Sequence, residues 1–293
     1  MDKPICLITG ATDGIGRETA LELAARGFVV VVAARDAAKA QALVKEIELT
    51  TGHRDAADTI TADLRSLAEV RQLSEIFRQR YPRLDVLINN AGIFSGVRQL
   101  TGDGFETTYQ VNYLAPFYLT CLMLDALKQA EQGRIVNLSS SVYTAGKFDP
   151  ENLQGEKRFS TFSAYSNSKL LMLLSTIELA SRLKATPVTA NAVHPGVVRT
   201  QMLLRAPGIF RAAGYLALPF ALSPRQGAAT SLHLASSPDV KGISGKYFAR
   251  GKETIVKSAF NTPENRELLW NLSMQSLGLA PSQPADVRQQ ARS

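Results

Sequence analysis

The sequence predicts a single-domain α/β protein: one doubly wound parallel sheet, about seven strands, with helices on both faces. Three observations carry that expectation. Short apolar runs alternate with longer stretches of helical spacing from residue 4 to residue 193. The second run, "FVVVVAA" (28–34), is β-branched and has no polar alternation, which is the pattern of a strand covered on both faces. The connections are short, so successive parallel strands must be joined by right-handed helical crossovers.

In chain order, "PICLIT" (4–9) is the first strand and ends in a Gly-rich turn. "GIGRETALELAARG" (14–27) has helical spacing, with Ile15, Ala20, Leu21 and Leu23 among its apolar positions and Gly27 as a stop. The alternation continues with strand 28–34, helix 36–50, a strand near 57–61, helix 66–80 and strand "LDVLIN" (84–89). Helix 104–130, strand "RIVNLS" (134–139), helix 161–184 and strand "PVTANAV" (187–193) follow. Nothing divides residues 1–280. The tail "PSQPADVRQQARS" (281–293) is poor in apolar residues and is expected to be disordered.

Composition narrows the function classes. An apolar fraction of 45% and a charged fraction of 20% belong to a folded globular chain with a substantial core. The net charge of +7 keeps such a surface soluble and favours anionic ligands or an anionic membrane face. There is no Lys/Arg run or aromatic-basic interleaving, so no nucleic-acid partner is expected. Cys6 and Cys121 are far apart, and no stretch reaches the roughly 18 apolar residues of a spanning helix. With the first strand starting at residue 4, no signal peptide is expected, and the localisation expected is cytoplasmic, with peripheral membrane contact as an alternative. His53, His194 and His233 have no metal-ligand spacing, so no metal is expected.

After the first strand comes "TGATDGIG", with Gly10, Gly14 and Gly16. In a doubly wound sheet the first strand-to-helix turn aims unpaired N–H groups and the positive end of the helix dipole at an anion. Glycines let the backbone approach a pyrophosphate closely. The second strand ends "AARD": Ala34 stands where a ribose-binding acid would, and Arg35 follows. That favours a 2′-phosphate and hence NADP(H), with Arg17 as a second cation near the same edge. Asp36 immediately precedes a helix and suits an N-cap.

"YSNSK" (165–169) puts Tyr165 and Lys169 on one helix face, four residues apart. Ser140, in "NLSSS", lies at the carboxyl edge of the fifth strand. Reducing a carbonyl by hydride needs a proton donor and a hydrogen-bond donor for the developing alkoxide. A tyrosine serves if its pKa of about 10 is brought nearer neutrality, and a lysine ammonium beside it would act in that direction. The spacing Ser166-x-x-Lys169 also occurs in serine acylases, but their partner motifs are missing.

Together "TGATDGIG", "NNAG" (89–92), "VN" (111–112), "SS" (139–140) and "YSNSK" resemble the short-chain dehydrogenase/reductase family, in that family's order and over nearly the whole chain. "GFETTYQVNYLAPFYLT" (104–120), "NAVHPGVVRT" (191–200), "SGKYF" (244–248) and "LLWNLS" (268–273) bring the resemblance to the retinol dehydrogenase-like branch. The resemblance implies a Rossmann-type sheet of order 3-2-1-4-5-6-7. It makes Tyr165 the general acid/base, with Lys169 lowering its pKa and holding the nicotinamide ribose. Ser140 orients the carbonyl, and Asn112 maintains a water relay to Lys169. It implies cofactor contacts from Gly10, Thr12, Asp13, Gly14, Ile15, Gly16 and Arg17 in the turn, and from Arg35. It adds Asp63 and Leu64 at the adenine, Asn89, Ala91 and Gly92 at the ribose, and Pro195, Gly196, Val198 and Thr200 at the nicotinamide amide. The chain reads "NYLAPF" where the branch often reads "NHLGHF", a departure on the substrate side. A non-catalytic NADP-binding regulator, or a reductase of a conjugated C=C bond as in protochlorophyllide reductases, are the alternatives.

Two expectations concern partners. Residues 202–222, "MLLRAPGIFRAAGYLALPFAL", are almost wholly apolar and interrupted by Pro and Gly, so they read as a lid over a lipophilic aldehyde or ketone, retinal-like by the resemblance. Segments 117–130 and 169–183 carry more apolar side chains than one sheet-facing stripe needs, which points to a homodimer.

Overall fold

The computed structural model describes residues 3–204 and 218–280. Its eight-stranded sheet contains β1 (Ile5–Thr9), β2 (Val29–Ala34), β3 (Ala57–Thr61), β4 (Val86–Asn89), β5 (Arg134–Leu138), β6 (Thr189–His194), β7 (Tyr247–Ala249) and β8 (Lys252–Thr254). The order is β3-β2-β1-β4-β5-β6-β7-β8, with the first seven parallel. The expected seven-strand order therefore stands, with one correction. β8 is a three-residue antiparallel edge strand, exposed along its length and paired only with β7, so no apolar pattern marked it.

Helices cover both faces. α1 (Gly14–Ala25), α2 (Ala37–Thr51) and α8 (Pro224–Ser236) pack on one side, while α3 (Leu67–Arg80), α5 (Ala115–Lys128), α6 (Thr161–Arg182) and α9 (Pro263–Ser276) pack on the other. Strand side chains alternate between the two cores. In β1, Leu7 joins the α5/α6 side and Cys6 and Ile8 the α1/α8 side, all fully buried. With an apolar layer needed on each face, the strand has no polar alternation to show. Asp13 caps α1 by accepting from Gly14 N, and Asp36 caps α2 by accepting from Lys39 N, as its position before the helix predicts.

The expected single helix over 104–130 is broken. A turn of α-helix, α4 (Thr107–Tyr109), leads into a π-helical segment, Gln110–Leu114, before α5 begins. All five π residues are buried, Asn112 among them. Such wide turns re-aim side chains and are frequent at functional sites.

The apolar surplus on segments 117–130 and 169–183 is covered within the chain. In α9, Trp270 meets the Phe117 ring edge-on at 4.8 Å, the Arg182 guanidinium lies 4.6 Å over the Trp270 ring, and Leu269 is fully buried. Tyr113 and Ser273 hydroxyls are hydrogen-bonded at 2.6 Å. α9 thus covers part of the apolar surplus on the two segments. No described helix is long and apolar enough to cross a membrane. Of the lid expected at 202–222, residues 205–217 lie outside the described residues, as does the tail 281–293. The flanks form α7 (Gln201–Leu204) and a 3₁₀ turn, Leu218–Phe220.

Candidate active site

The glycine turn leaves β1 at the carboxyl edge of the sheet. Gly10 (φ 65°) and Gly14 (φ 54°) hold left-handed conformations. A Cβ on Gly10 would come 2.7 Å from Ala91 Cα, and one on Gly16 would come 2.4 Å from both Asn90 Nδ2 and Gly10 O. Asn90 fixes this crowding: its Nδ2 donates to Thr9 O (3.0 Å) and Gly10 O (2.8 Å). Thr9 Oγ1 in turn accepts from Asn90 N and Ala91 N, both at 3.1 Å. Thr12 and Ile15 are half-buried in the turn. On its far side, the position of a Gly14 Cβ lies 3.0 Å from the Thr200 methyl, which brings the segment after β6 against the turn. That segment is held by a bridge between Val198 and Leu222, with Arg199 N donating to Leu222 O (3.0 Å). Gly196 adopts φ 92° beside Pro195.

At the ends of β2 and β3 the predicted residues divide. Arg35 is exposed and makes no hydrogen bond or ion pair among the described residues. Arg17 is committed elsewhere: its Nη2 donates to both Glu46 oxygens at 2.5 and 2.6 Å, tying α1 to α2. Asp63 is bonded by Arg65, and Leu64 is buried beneath the same turn. Burial pushes the Asp63 carboxyl up, but the Arg65 hydrogen bonds and the charges of Arg65 and Arg35 outweigh it, so its pKa lies below the ordinary value. The Asn89 side chain turns inward, with Nδ2 donating to Thr120 Oγ1 (3.0 Å) and Asn137 Oδ1 (2.8 Å), leaving only its main chain toward the edge.

The reactive cluster forms where β5, α6 and the π-helical segment meet. The two serines of "SS" separate. Ser139 is buried and donates to Lys169 O (2.8 Å), whereas Ser140 caps the 3₁₀ turn Ser141–Ala145, accepting from Val142 N (3.4 Å), and lies near enough to the Tyr165 hydroxyl to lower its pKa. Tyr165 also donates to Met202 Sδ at 3.8 Å, and Phe94 meets its ring edge-on at 5.0 Å. Lys169 is buried, donates from Nζ to Leu138 O (2.9 Å) and sits 5.6 Å from the Tyr165 ring centre. Asn112 is fully buried; it accepts from Ile93 N (2.7 Å) and donates to Ile93 O (2.9 Å) and Ser168 Oγ (3.1 Å). The position of a Cβ on Gly92 lies 3.4 Å from Asn112 Oδ1, 3.5 Å from Lys169 Nζ and 3.6 Å from Met202 Cε, ordinary contact distances that place the three groups around this residue.

One expectation is corrected. Lys169 was expected to draw the Tyr165 pKa toward neutrality. Burial instead pushes it up to about 12, and the Ser140 hydrogen bond only partly opposes this. The ammonium faces the ring and a carbonyl rather than the hydroxyl, and burial pulls its own pKa down to about 8. Tyr165 is therefore protonated at neutral pH, ready to donate.

A family model described as short chain dehydrogenase matches residues 4–207. Retinol dehydrogenase 12 of Mus musculus is 42% identical over 275 residues, spanning 94% of this chain and 86% of that protein. Retinol dehydrogenase 11 of Homo sapiens is 40% identical over the same shares. The chain is a short-chain dehydrogenase/reductase. Among solved structures, an uncharacterized protein from Mycobacterium paratuberculosis superposes with a TM-score of 0.75 at 31% identity, covering 96% of this chain and 98% of that one. A short-chain dehydrogenase from Shigella flexneri 2a, solved with NADP, gives 0.68 at 26% identity over 86% and 98%.

Within this short-chain dehydrogenase the turn fits a nicotinamide dinucleotide. Its glycines leave no room for a Cβ, and α1 points unpaired N–H groups at the carboxyl edge. The sequence reading missed three supporting residues: Thr9, Asn90 and Ser168. Asn90 had a visible signal, the doubled asparagine of "NNAG", but its role depends on β1 and β4 lying side by side. Ser168 reads as helix surface until the π-helical segment packs against it. His194 was also passed over; its Nδ1 accepts from Ser141 N (3.2 Å) beside Ser140.

Proposed function

We propose that this short-chain dehydrogenase is NADP(H)-dependent and interconverts an apolar carbonyl compound and its alcohol, running in cells toward reduction. The observation that carries the reading is the meeting of Tyr165, Ser140, Lys169 and Asn112 beside the glycine turn. A non-catalytic nucleotide sensor has no need of a tyrosine hydroxyl with a serine and a buried lysine beside it there.

When bound, the nicotinamide exchanges a hydride with the substrate carbon. The chain's own residues manage the oxygen. The Tyr165 hydroxyl gives its proton to the carbonyl oxygen as charge develops. Ser140 hydrogen-bonds the same oxygen and fixes its distance from Tyr165. Lys169 would hold the ribose, and its buried ammonium, 5.6 Å from the Tyr165 ring centre, would favour the phenolate left after proton transfer. Asn112, pinned at both ends of its amide to Ile93, fixes the Ile93 main chain beside the cluster.

Preference for NADP(H) is supported by Ala34 in place of an acid, by the uncommitted Arg35, and by the NADP carried by the Shigella flexneri relative. An apolar substrate is supported by the names of the retinol dehydrogenase relatives and by the composition of residues 202–222. The same basic, apolar segment would suit contact with a membrane face. The test is NADPH consumption with a panel of carbonyl compounds, alongside NADPH and NADH titrations. Long apolar aldehydes and bulky lipophilic ketones should give the highest kcat/KM. Higher values for small polar ketones or sugars would overturn the substrate class, and equal NADPH and NADH affinity would overturn the cofactor.

A further inference from the structure

The edge that receives the adenosine end carries a second arginine that the cofactor reading leaves unused. Ala34 pairs with Thr61, and Ala62 N donates to Ala34 O at 3.0 Å, so the chain leaves β2 and β3 side by side at Arg35 and Asp63. The turn after β3 is rigid: Asp63 N donates to Glu69 Oε2 (2.8 Å), and the buried Leu64 offers its carbonyl to Gln110 Nε2 (3.3 Å).

Arg65 folds back from this turn onto Asp63. Its main-chain N and Nε donate to Oδ1 at 2.9 and 3.2 Å, and its Nε and Nη2 donate to Oδ2 at 2.9 and 2.6 Å. A carboxylate accepts about four hydrogen bonds, so one residue fills it. A ligand amine that uses Asp63 must displace the guanidinium. The pair can yield, because the Arg65 side chain is 52% exposed and such pairs are weak.

We propose that Arg65 is a specificity-determining residue: it covers Asp63 until a dinucleotide arrives, then turns beside Arg35 to the ribose 2′-phosphate while Asp63 takes the adenine amine. The inference rests on the NADP(H) reading and adds a sign to it. With NADH there is no phosphate to receive the displaced guanidinium, so Arg65 opposes that ligand. The same side chain should help one cofactor and hinder the other.

Calorimetric titration of the unmutated protein and Arg65→Ala with NADPH, NADH, 2′-AMP and 5′-AMP tests this. Arg65→Ala should weaken NADPH and 2′-AMP about tenfold, the loss of one charge-assisted contact, while NADH and 5′-AMP bind equally well or more tightly. Arg65→Lys should recover part of the NADPH loss, since the charge remains without the planar fork. Circular dichroism of each variant checks that the fold is intact. Equal weakening of NADPH and NADH would assign Arg65 a merely structural role and overturn the inference. So would an unchanged NADPH-to-NADH ratio, while leaving the cofactor reading in place. If the unmutated protein fails to distinguish NADPH from NADH, the cofactor reading falls and takes this inference with it.

Discussion

Lys169 is a cation held where water does not reach it. Its Nζ has one described hydrogen bond, to Leu138 O at 2.9 Å, and burial pulls its pKa from 10.5 to about 8. A drop of that size corresponds to about 3 kcal/mol of destabilisation when the group is charged. Because the folded pKa is depressed below the unfolded one, the cost is fully present below pH 8 and is relieved as pH rises toward 10.5. Lys169→Met removes the charge and forfeits one hydrogen bond worth about 1 kcal/mol. The variant should be inactive yet more stable than the parent at pH 7 by urea unfolding, with the advantage shrinking above pH 8. A variant less stable at pH 7 would contradict the assigned cost. At this scale the sequence revealed that Tyr165 and Lys169 would meet, because i and i+4 on a helix share a face. It did not reveal the direction of the Tyr165 pKa, since spacing cannot say whether the ammonium meets the hydroxyl or the ring.

The turn between β1 and α1 shows what the elements contribute. Gly16 lies between Asn90 Nδ2 and Gly10 O, with no space for a methyl group. Gly16→Ala should push the turn off Asn90 and reduce dinucleotide affinity at least tenfold, about 1.4 kcal/mol, with far less effect on helix content. Unchanged affinity by fluorescence titration would mean that the dinucleotide does not lie on this turn. The turn was legible because its glycines follow an apolar strand directly. The break of the 104–130 helix was not: "YQVNYLAPF" keeps an apolar face through the π-helical residues, so periodicity passes over them. The pairing of Asn89 with Asn137 was hidden for another reason. Both are polar residues in strands that otherwise read as apolar, and Asn137 Nδ2 reaches Thr176 Oγ1 (2.9 Å) on a helix 39 residues away.

Over the whole molecule, the sheet collects at one edge residues that are far apart in the chain. Gly10 leaves β1, Gly92 follows β4, Ser140 follows β5, and Tyr165 and Lys169 come from α6. Two apolar cores, one on each face, hold these strand ends in register, and α9 closes the α5/α6 side through Trp270. The strands were legible because parallel strands buried on both faces repeat the same apolar run, while their order followed from the family resemblance. β8 and α9 were harder to place: one is too short and exposed to show a pattern, and the other has its apolar residues set by contact with α5 and α6. On the proposed reading, this convergence performs proton transfer through Tyr165. The most direct measurement is NADPH turnover with a long apolar aldehyde by the unmutated protein and Tyr165→Phe, with NADPH affinity measured on both. Tyr165→Phe should lose at least about 10²-fold in kcat, the low end for a positioned general acid, while NADPH affinity stays close to that of the parent. Retention of most of the turnover by Tyr165→Phe would contradict the account.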